Sequence, residues 1–495
     1  MASLSRSFSA PADPRAGQPP IGQRQASRLV PELIILGSTS LVCLALYSVG
    51  SFTAVSLVSA SVMLIVMAVA NFRMVADDPL MMLTPLFGVR LIAMVVFGFG
   101  ALFNLFAPLE IRSSYDIVYP YTDAEAAKVN LLWLLGMATL LAGMATTMRF
   151  DRPRRALPQR QYSLGSVPIA VGLWMFQLSF AVSVANIILS LVTRILIPGI
   201  IDTLLLGFEL CGLFLIAQHA VTSRRALVTL IVGLVALLLA AVLLHAKTLA
   251  LYPALIIMIG VLSNRVTWRR TLASAALIML IFFVISPIVT YGRERMANEY
   301  GEGGSGSLSD RWRYISDYAG GDRGRGDDVG TTMSRLDYIM PASFIMGQYD
   351  QGLASDRLAT SAYIFIPRLI WPEKPITSTA GLDTNHLLGI QTTNNVGVTT
   401  FVDLYWNIGW FALLVSGALG FYFGIVTVMS HRLATRGEWL LIPFALSSLR
   451  LSLSLDSDFT SGIMAPAVIN FIIYMALRFI SRFARHLPVS HAHAG

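Results

Sequence analysis

Between residues 247 and 407 the chain carries ionisable and polar side chains of the types that handle phosphorylated substrates. Lys247, Arg293, Arg335, Arg368 and Lys374 are the cations of this set. Arginine forms bidentate, charge-assisted bonds with phosphate oxygens. Together these residues suit a lipid-linked pyrophosphate, although each alone could serve an anionic headgroup or a nearby acid. Asp403 (in TTFVDLYWNIGW) and His386 (in LDTNHLLG) are candidates to take a proton from an attacking hydroxyl. Arg335 joins them as a catalytic candidate, because a cation can stabilise charge on a departing phosphate. Asp403 could equally be a first-turn carboxylate favoured by the helix dipole, and His386 a solvated loop residue. Tyr405 and Asn407 could hydrogen-bond a glycan, or pack beside Gly409. Arg90, inside the apolar run LTPLFGVRLIAM, has no evident acidic partner in sequence. Buried arginines in membranes face a cavity or a counter-ion, so Arg90 is a further glycan-contact candidate. Arg450, by contrast, has Asp456 and Asp458 nearby to pair with.

Those side chains need a scaffold, and the composition describes it. The 495 residues are 55% hydrophobic and 13% charged, with a mean hydropathy of +0.67. A soluble domain carries about 25% charged residues, so the expected class is all-α: a polytopic integral membrane protein. Apolar runs near 31–50, 53–72, 80–106, 129–148, 167–191, 199–219, 226–245, 248–263, 272–290, 401–430, 438–455 and 461–480 predict about twelve transmembrane helices. The net charge of +8 is explained by loops retained on one side of a membrane, and nucleic acid is excluded as a partner. Cys43 and Cys211 both lie in apolar runs and read as packing residues. No CxxC or HExxH spacing suggests a metal, and no cofactor is expected.

Basic residues set the orientation. With the N-terminus in the cytoplasm, the dense groups Arg152, Arg154, Arg155, Arg160 and Arg265, Arg269, Arg270 fall inside. The short outward loops hold only Arg112, Lys128, Arg194 and Lys247. This bias predicts both termini inside and an even number of spans. Residues 1–30 read as a disordered basic tail, 31–290 as a membrane domain of about nine spans, 291–400 as one large external loop, 401–480 as the last three spans and 481–495 as a tail. Within the loop, GEGGSGS and GGDRGRGDD predict a flexible Gly-rich stretch over 301–330 suited to a lid or glycan guide. Leu336, Ile339, Met340 and Phe344 predict a helix over 335–357. Prolines 367, 372 and 375 break IPRLIWPEKP.

That block, followed by VGVTTFVDLYWNIGWFALLVSGALGFYFG, resembles the oligosaccharide repeat-unit polymerases of the O-antigen polymerase (Wzy-type) family, with their IPR…WP.KP run and a later GE.Y.NFG..G run. AKTLALYPALIIMIG resembles the family's turn between two middle helices, and the arginine of MSRLDYI falls where the family has one starting an external-loop helix. The likeness covers about residues 245–425. Asp403 stands where the family more often has Glu, and Ile408 where it has Phe. The resemblance implies a glycosyltransferase-C-like or O-antigen ligase-like fold and an inner-membrane glycosyltransferase acting at the outer face without metal. Its donor and acceptor would be undecaprenyl-diphosphate-linked oligosaccharides, with a chain-length regulator protein and membrane lipids as further partners. Two other functions compete: a ligase moving glycan to a terminal acceptor, and a flippase. A flippase would line a central path with charge and carry inverted repeats. A scaffold within an export complex is a third.

Overall fold

The computed structural model describes residues 20–107, 119–151, 167–193, 199–264, 266–300, 306–321, 336–366, 371, 373, 379–389 and 397–484. It is helical, with no strand among the described residues. In chain order the helices are α1 (Ile21–Ser48), α2 (Phe52–Asp77), α3 (Pro85–Phe106), α4 (Asp123–Arg149), α5 (Ile169–Thr193), α6 (Gly199–Ala220), α7 (Arg224–Leu243) and α8 (Thr248–Asn264). Then follow α9 (Trp268–Tyr300), α10 (Leu308–Ala319), α11 (Ile339–Asp350), α12 (Arg357–Thr360), α13 (Ala380–Leu387) and α14 (Thr400–Ile408). The chain closes with α15 (Ala412–Thr435), α16 (Ile442–Leu453) and α17 (Ala465–Ala484). Eleven helical stretches are long and apolar enough to cross a membrane, and the shorter apolar Thr248–Ser263 adds to them. The architecture is that of a multi-pass membrane protein.

Apolar length alone does not position helices; close approach does. The α4–α15 pair forms the most extensive helix contact. Its seam is lined with glycine. A Cβ on Gly420 would fall 1.9 Å from the Leu140 carbonyl oxygen, and one on Gly143 would fall 2.1 Å from that of Gly417. Small residues let backbones touch where lipid supplies no hydrophobic driving force between helices. At one end of the seam, Asp151 gathers the neighbouring helices. Its Oδ2 accepts from the Gly22 backbone N–H at 3.1 Å, and its Oδ1 pairs with Arg432. His431 meets Asp78 beside it at 2.8 Å. These bonds explain why α1 begins at Ile21, ten residues before the apolar run: its first turn caps onto Asp151, so the predicted 1–30 tail is helical from Ile21 onward.

Two further departures from expectation concern the site. The run 401–430 is not one straight helix. Phe401 meets α4 at Gly136, and Gly420 meets it at Leu140, about one turn away. A straight helix would separate Phe401 and Gly420 by about 28 Å. The break is at Gly409, whose φ of +60° is open to glycine and strained for other residues. Thus α14 is a short buried helix that turns back into the span α15. The second departure is α10. Ser307 and Asp310 cap one another reciprocally, with the Asp310 carboxylate 2.9 Å from the Ser307 N–H. A helix therefore stands inside the predicted flexible stretch, while 301–305 and 322–335 lie outside the described residues.

α9 is 33 residues long, about 50 Å at 1.5 Å per residue. A bilayer core is about 30 Å, so its C-terminal turns extend beyond the apolar layer, carried by helix formers in RERMANEY. This puts Arg293 at the rim.

The seam predicts a contrast. Gly420→Ala forces the α4 backbone to move and should cost about 1–3 kcal/mol. Gly417→Ala, whose Cβ would lie 3.8 Å from its nearest neighbour, Thr139 O, should be tolerated. Thermal melts of the two purified variants in one detergent read the difference; equal melting temperatures would disprove the close seam.

Candidate functional site

Two clusters of polar side chains occupy the same end of the bundle, opposite the Asp151 end. The first is built on α14. Asp403 is 2% exposed. Its Oδ1 pairs with the Arg357 guanidinium and accepts from Asn407 Nδ2 at 3.3 Å, and its Oδ2 accepts from the Phe459 N–H at 2.8 Å. Arg357 also reaches Asp383 on α13 at 3.3 Å and lies 4.6 Å from the Trp406 ring centroid. One arginine therefore ties α12, α13 and α14 together. Further bonds hold α14 to the segment after α11: the Trp406 indole donates to Leu353 O, and Asn407 Oδ1 accepts from the Leu358 N–H, both at 2.9 Å. Tyr405 donates to Asp350 Oδ1 at 2.9 Å, and Lys128 of α4 pairs with the other oxygen of Asp350 at 2.5 Å.

The second cluster surrounds the turn between α7 and α8. Arg293 of α9 donates to His245 O at 2.8 Å. Arg311 of α10 donates to Leu243 O at 3.1 Å. Lys247 stands on the same turn and donates to Ser286 Oγ at 2.6 Å. Burial is the main influence holding the Arg311 guanidinium below the usual arginine range. The His245 imidazole is pulled down to about 4, first by burial and then by the charges of Arg311 and Arg293. Two arginines thus donate to carbonyls of the turn, at His245 and Leu243, and Lys247 stands two residues after His245. The clusters are linked: Arg450 on α16, near the Phe459 turn, lies over the ring of Tyr252 near the start of α8, with 5.3 Å to the centroid.

The sequence candidates distribute as follows. Lys247 and Arg293 are brought together. Arg335, Arg368 and Lys374 lie outside the described residues. His386 is exposed on α13, one turn from Asp383. Asp403 is not exposed to a substrate in this conformation: burial and three donors leave it a clamp on α14 rather than an accessible base. Tyr405 and Asn407 are likewise committed to internal bonds, so neither presents its polar group to a glycan. Arg90 is elsewhere. It donates to both carboxylate oxygens of Glu32, at 2.5 and 3.1 Å, and is 1% exposed. Its counter-ion sits on α1, which removes the reason to assign it a glycan. Arg450 forms no ion pair with Asp456 or Asp458 among the described residues; Asp456 accepts from Tyr338 instead.

Arg357 and Arg311 were not anticipated. Nothing in SDRLAT marks Arg357, whose partners are 26 and 46 residues away. Arg311 was findable, since Ser307-x-x-Asp310 is a helix-start spacing and places Arg311 on a helix instead of in a Gly-rich coil. Comparison with known protein families, with characterised proteins and with solved structures found no match.

The clamp makes a quantitative prediction. Arg357→Met leaves a buried carboxylate unpaired and should destabilise the fold by about 3–5 kcal/mol. Adding Asp403→Leu should restore part of that loss. A double-mutant cycle on unfolding in detergent measures it, and additive losses would show that the two side chains are not coupled.

Proposed function

We propose that this chain is a membrane glycosyltransferase that joins undecaprenyl-diphosphate-linked oligosaccharide repeat units into a surface polysaccharide. In this proposal it works at the outer face of the inner membrane with both termini in the cytoplasm. The observation that carries the reading is the convergence of Lys247, Arg293 and Arg311 on the 243–248 turn. Three cations at the end of an apolar bundle suit a diphosphate whose prenyl tail lies between helices. They would offset the negative charge that grows on the leaving diphosphate as the glycosidic bond breaks. Arg335, Arg368 and Lys374 belong to the same external segment in the sequence and extend this anion site in the proposal.

The acceptor side is assigned to the α12–α14 cluster. Arg357 and Asp403 hold α13 and α14 in register. His386, exposed on α13, is assigned the proton of an attacking sugar hydroxyl. Attack by that oxygen on the donor's anomeric carbon expels undecaprenyl diphosphate and lengthens the glycan by the donor's chain. The energy comes from the diphosphate leaving group, so no nucleotide sugar is needed. The resemblance in the IPRLIWPEKP block and the run entering α15 supports the same class of reaction.

Incubating the purified protein with a defined lipid-linked repeat unit tests the proposal. A ladder of products is expected, and Lys247→Ala and Arg311→Ala should each lower its rate by about a hundredfold. Transfer of a single repeat to a terminal acceptor with no ladder would identify a ligase. Translocation of the lipid across vesicles without any glycosidic bond formed would identify a flippase. Either result overturns the polymerase assignment.

A further inference from the structure

His245 is the least ordinary residue of the cation turn. Its φ is +50°, the one positive value among described non-glycine residues. Such a conformation is uncommon outside glycine, and where it persists the surroundings enforce it. Here they do so from both sides. The backbone carbonyl of His245 is held by Arg293, and its ring lies against Gly292, where a Cβ would fall 2.1 Å from Nε2. The imidazole is 3% exposed, and neither ring nitrogen has a hydrogen-bond partner among the described residues. A buried polar group in that state is costly, and burying histidine in an apolar bundle has no advantage over burying leucine.

Cations stand near the ring on its own turn, on α9 and on α10. Lys247 stands on its own turn, Arg293 on α9 and Arg311 on α10. Tyr314 of α10 presents its ring at 6.4 Å. Arg313 lies 5.3 Å from the centroid of that tyrosine ring and is paired with Glu299. A histidine placed so is neutral, because a fourth positive charge is repelled and desolvated. A bound diphosphate changes the sign of the field. Its negative charges cancel those of the three cations, and its oxygens supply acceptors for an imidazolium N–H.

We propose that His245 is a positioning residue of the anion site that takes up one proton from solvent when a polyprenyl diphosphate binds, so that ligand binding and protonation are coupled. The proposal rests on the diphosphate assignment above and adds a proton to it. Protonation makes His245 a fourth donor only while the diphosphate is present. Loss of the diphosphate returns the ring to its neutral form and the proton to solvent. The dependence has a definite sign. Uptake favours binding at lower pH, so affinity rises as pH falls toward the value at which the ligand-free ring itself titrates.

The experiment uses full-length protein in detergent with farnesyl diphosphate as the probe, titrated calorimetrically in buffers of different ionisation enthalpy. The comparison is wild type against His245→Asn, because asparagine tolerates the left-handed backbone and does not titrate. Protonation of the probe itself cancels in that comparison. Wild type should take up to one proton more per ligand than the variant. Its affinity should tighten by about tenfold more than the variant's between pH 7 and pH 5. Equal proton counts and parallel pH profiles in two proteins that both bind would overturn the role of His245 while leaving the diphosphate site intact. Absence of binding by both would overturn the site and this proposal together. Thermal melts at each pH establish that the variant is folded.

Discussion

A carboxylate removed from water must have its oxygens filled by donors, and the Asp403 end of the molecule is arranged around meeting that demand. Asp403 takes one donor from an arginine in the segment after α11, one from its own helix and one from the turn that opens the last span. Each donor comes from a different stretch of chain, so satisfying one side chain fixes three backbones. Arg357 has the reciprocal need and answers it with two acids and an indole face. A pair of this kind adds little net stability compared with apolar side chains of the same volume. What it adds is geometry, because the arrangement of α12, α13 and α14 that satisfies every partner is narrowly defined.

The same economy separates the roles of charge across the bundle. At the Asp151 end, Arg432 and the first turn of α1 share one carboxylate. Within the bundle, Arg90 and Glu32 neutralise one another across α1 and α3. At the opposite end, the cations of the 243–248 turn donate to carbonyl and hydroxyl oxygens, Arg293 to His245, Arg311 to Leu243 and Lys247 to Ser286. Arg311 donates to two backbone carbonyls, of Gly306 and Leu243, and both are neutral acceptors.

Hydropathy made the spans legible because burial in lipid imposes a length and a composition on each helix. It placed nearly every spanning helix, and the Leu336–Phe344 spacing located α11. Charge counting also gathered Lys247 and Arg293 into one group. Hydropathy could not show the reversal at Gly409, since TFVDLYWNIGWFALL is equally apolar on both sides of the turn. The distant pairings were closed to it as well. Glu32 and Arg90 are 58 residues apart, and Arg357 and Asp403 are 46 apart; neither spacing follows a local periodicity. The error over α10 had another origin, because flanking glycines concealed a capped helix between them.

The shortness of α14 bears on how the protein is made. Nine residues cover about 14 Å, less than half of a hydrocarbon core. Such a piece cannot be released sideways into lipid by the translocation machinery as a span of its own, because its unpaired backbone ends and its aspartate would meet only acyl chains. It can be seated only against helices already inserted, including the turn at Phe459 that is synthesised after it. The full set of donors to Asp403 therefore exists only once the Phe459 turn, synthesised after α14, is in place. Before that turn is seated, the chain can be threaded through the bilayer and Asp403 still lack one of its three donors.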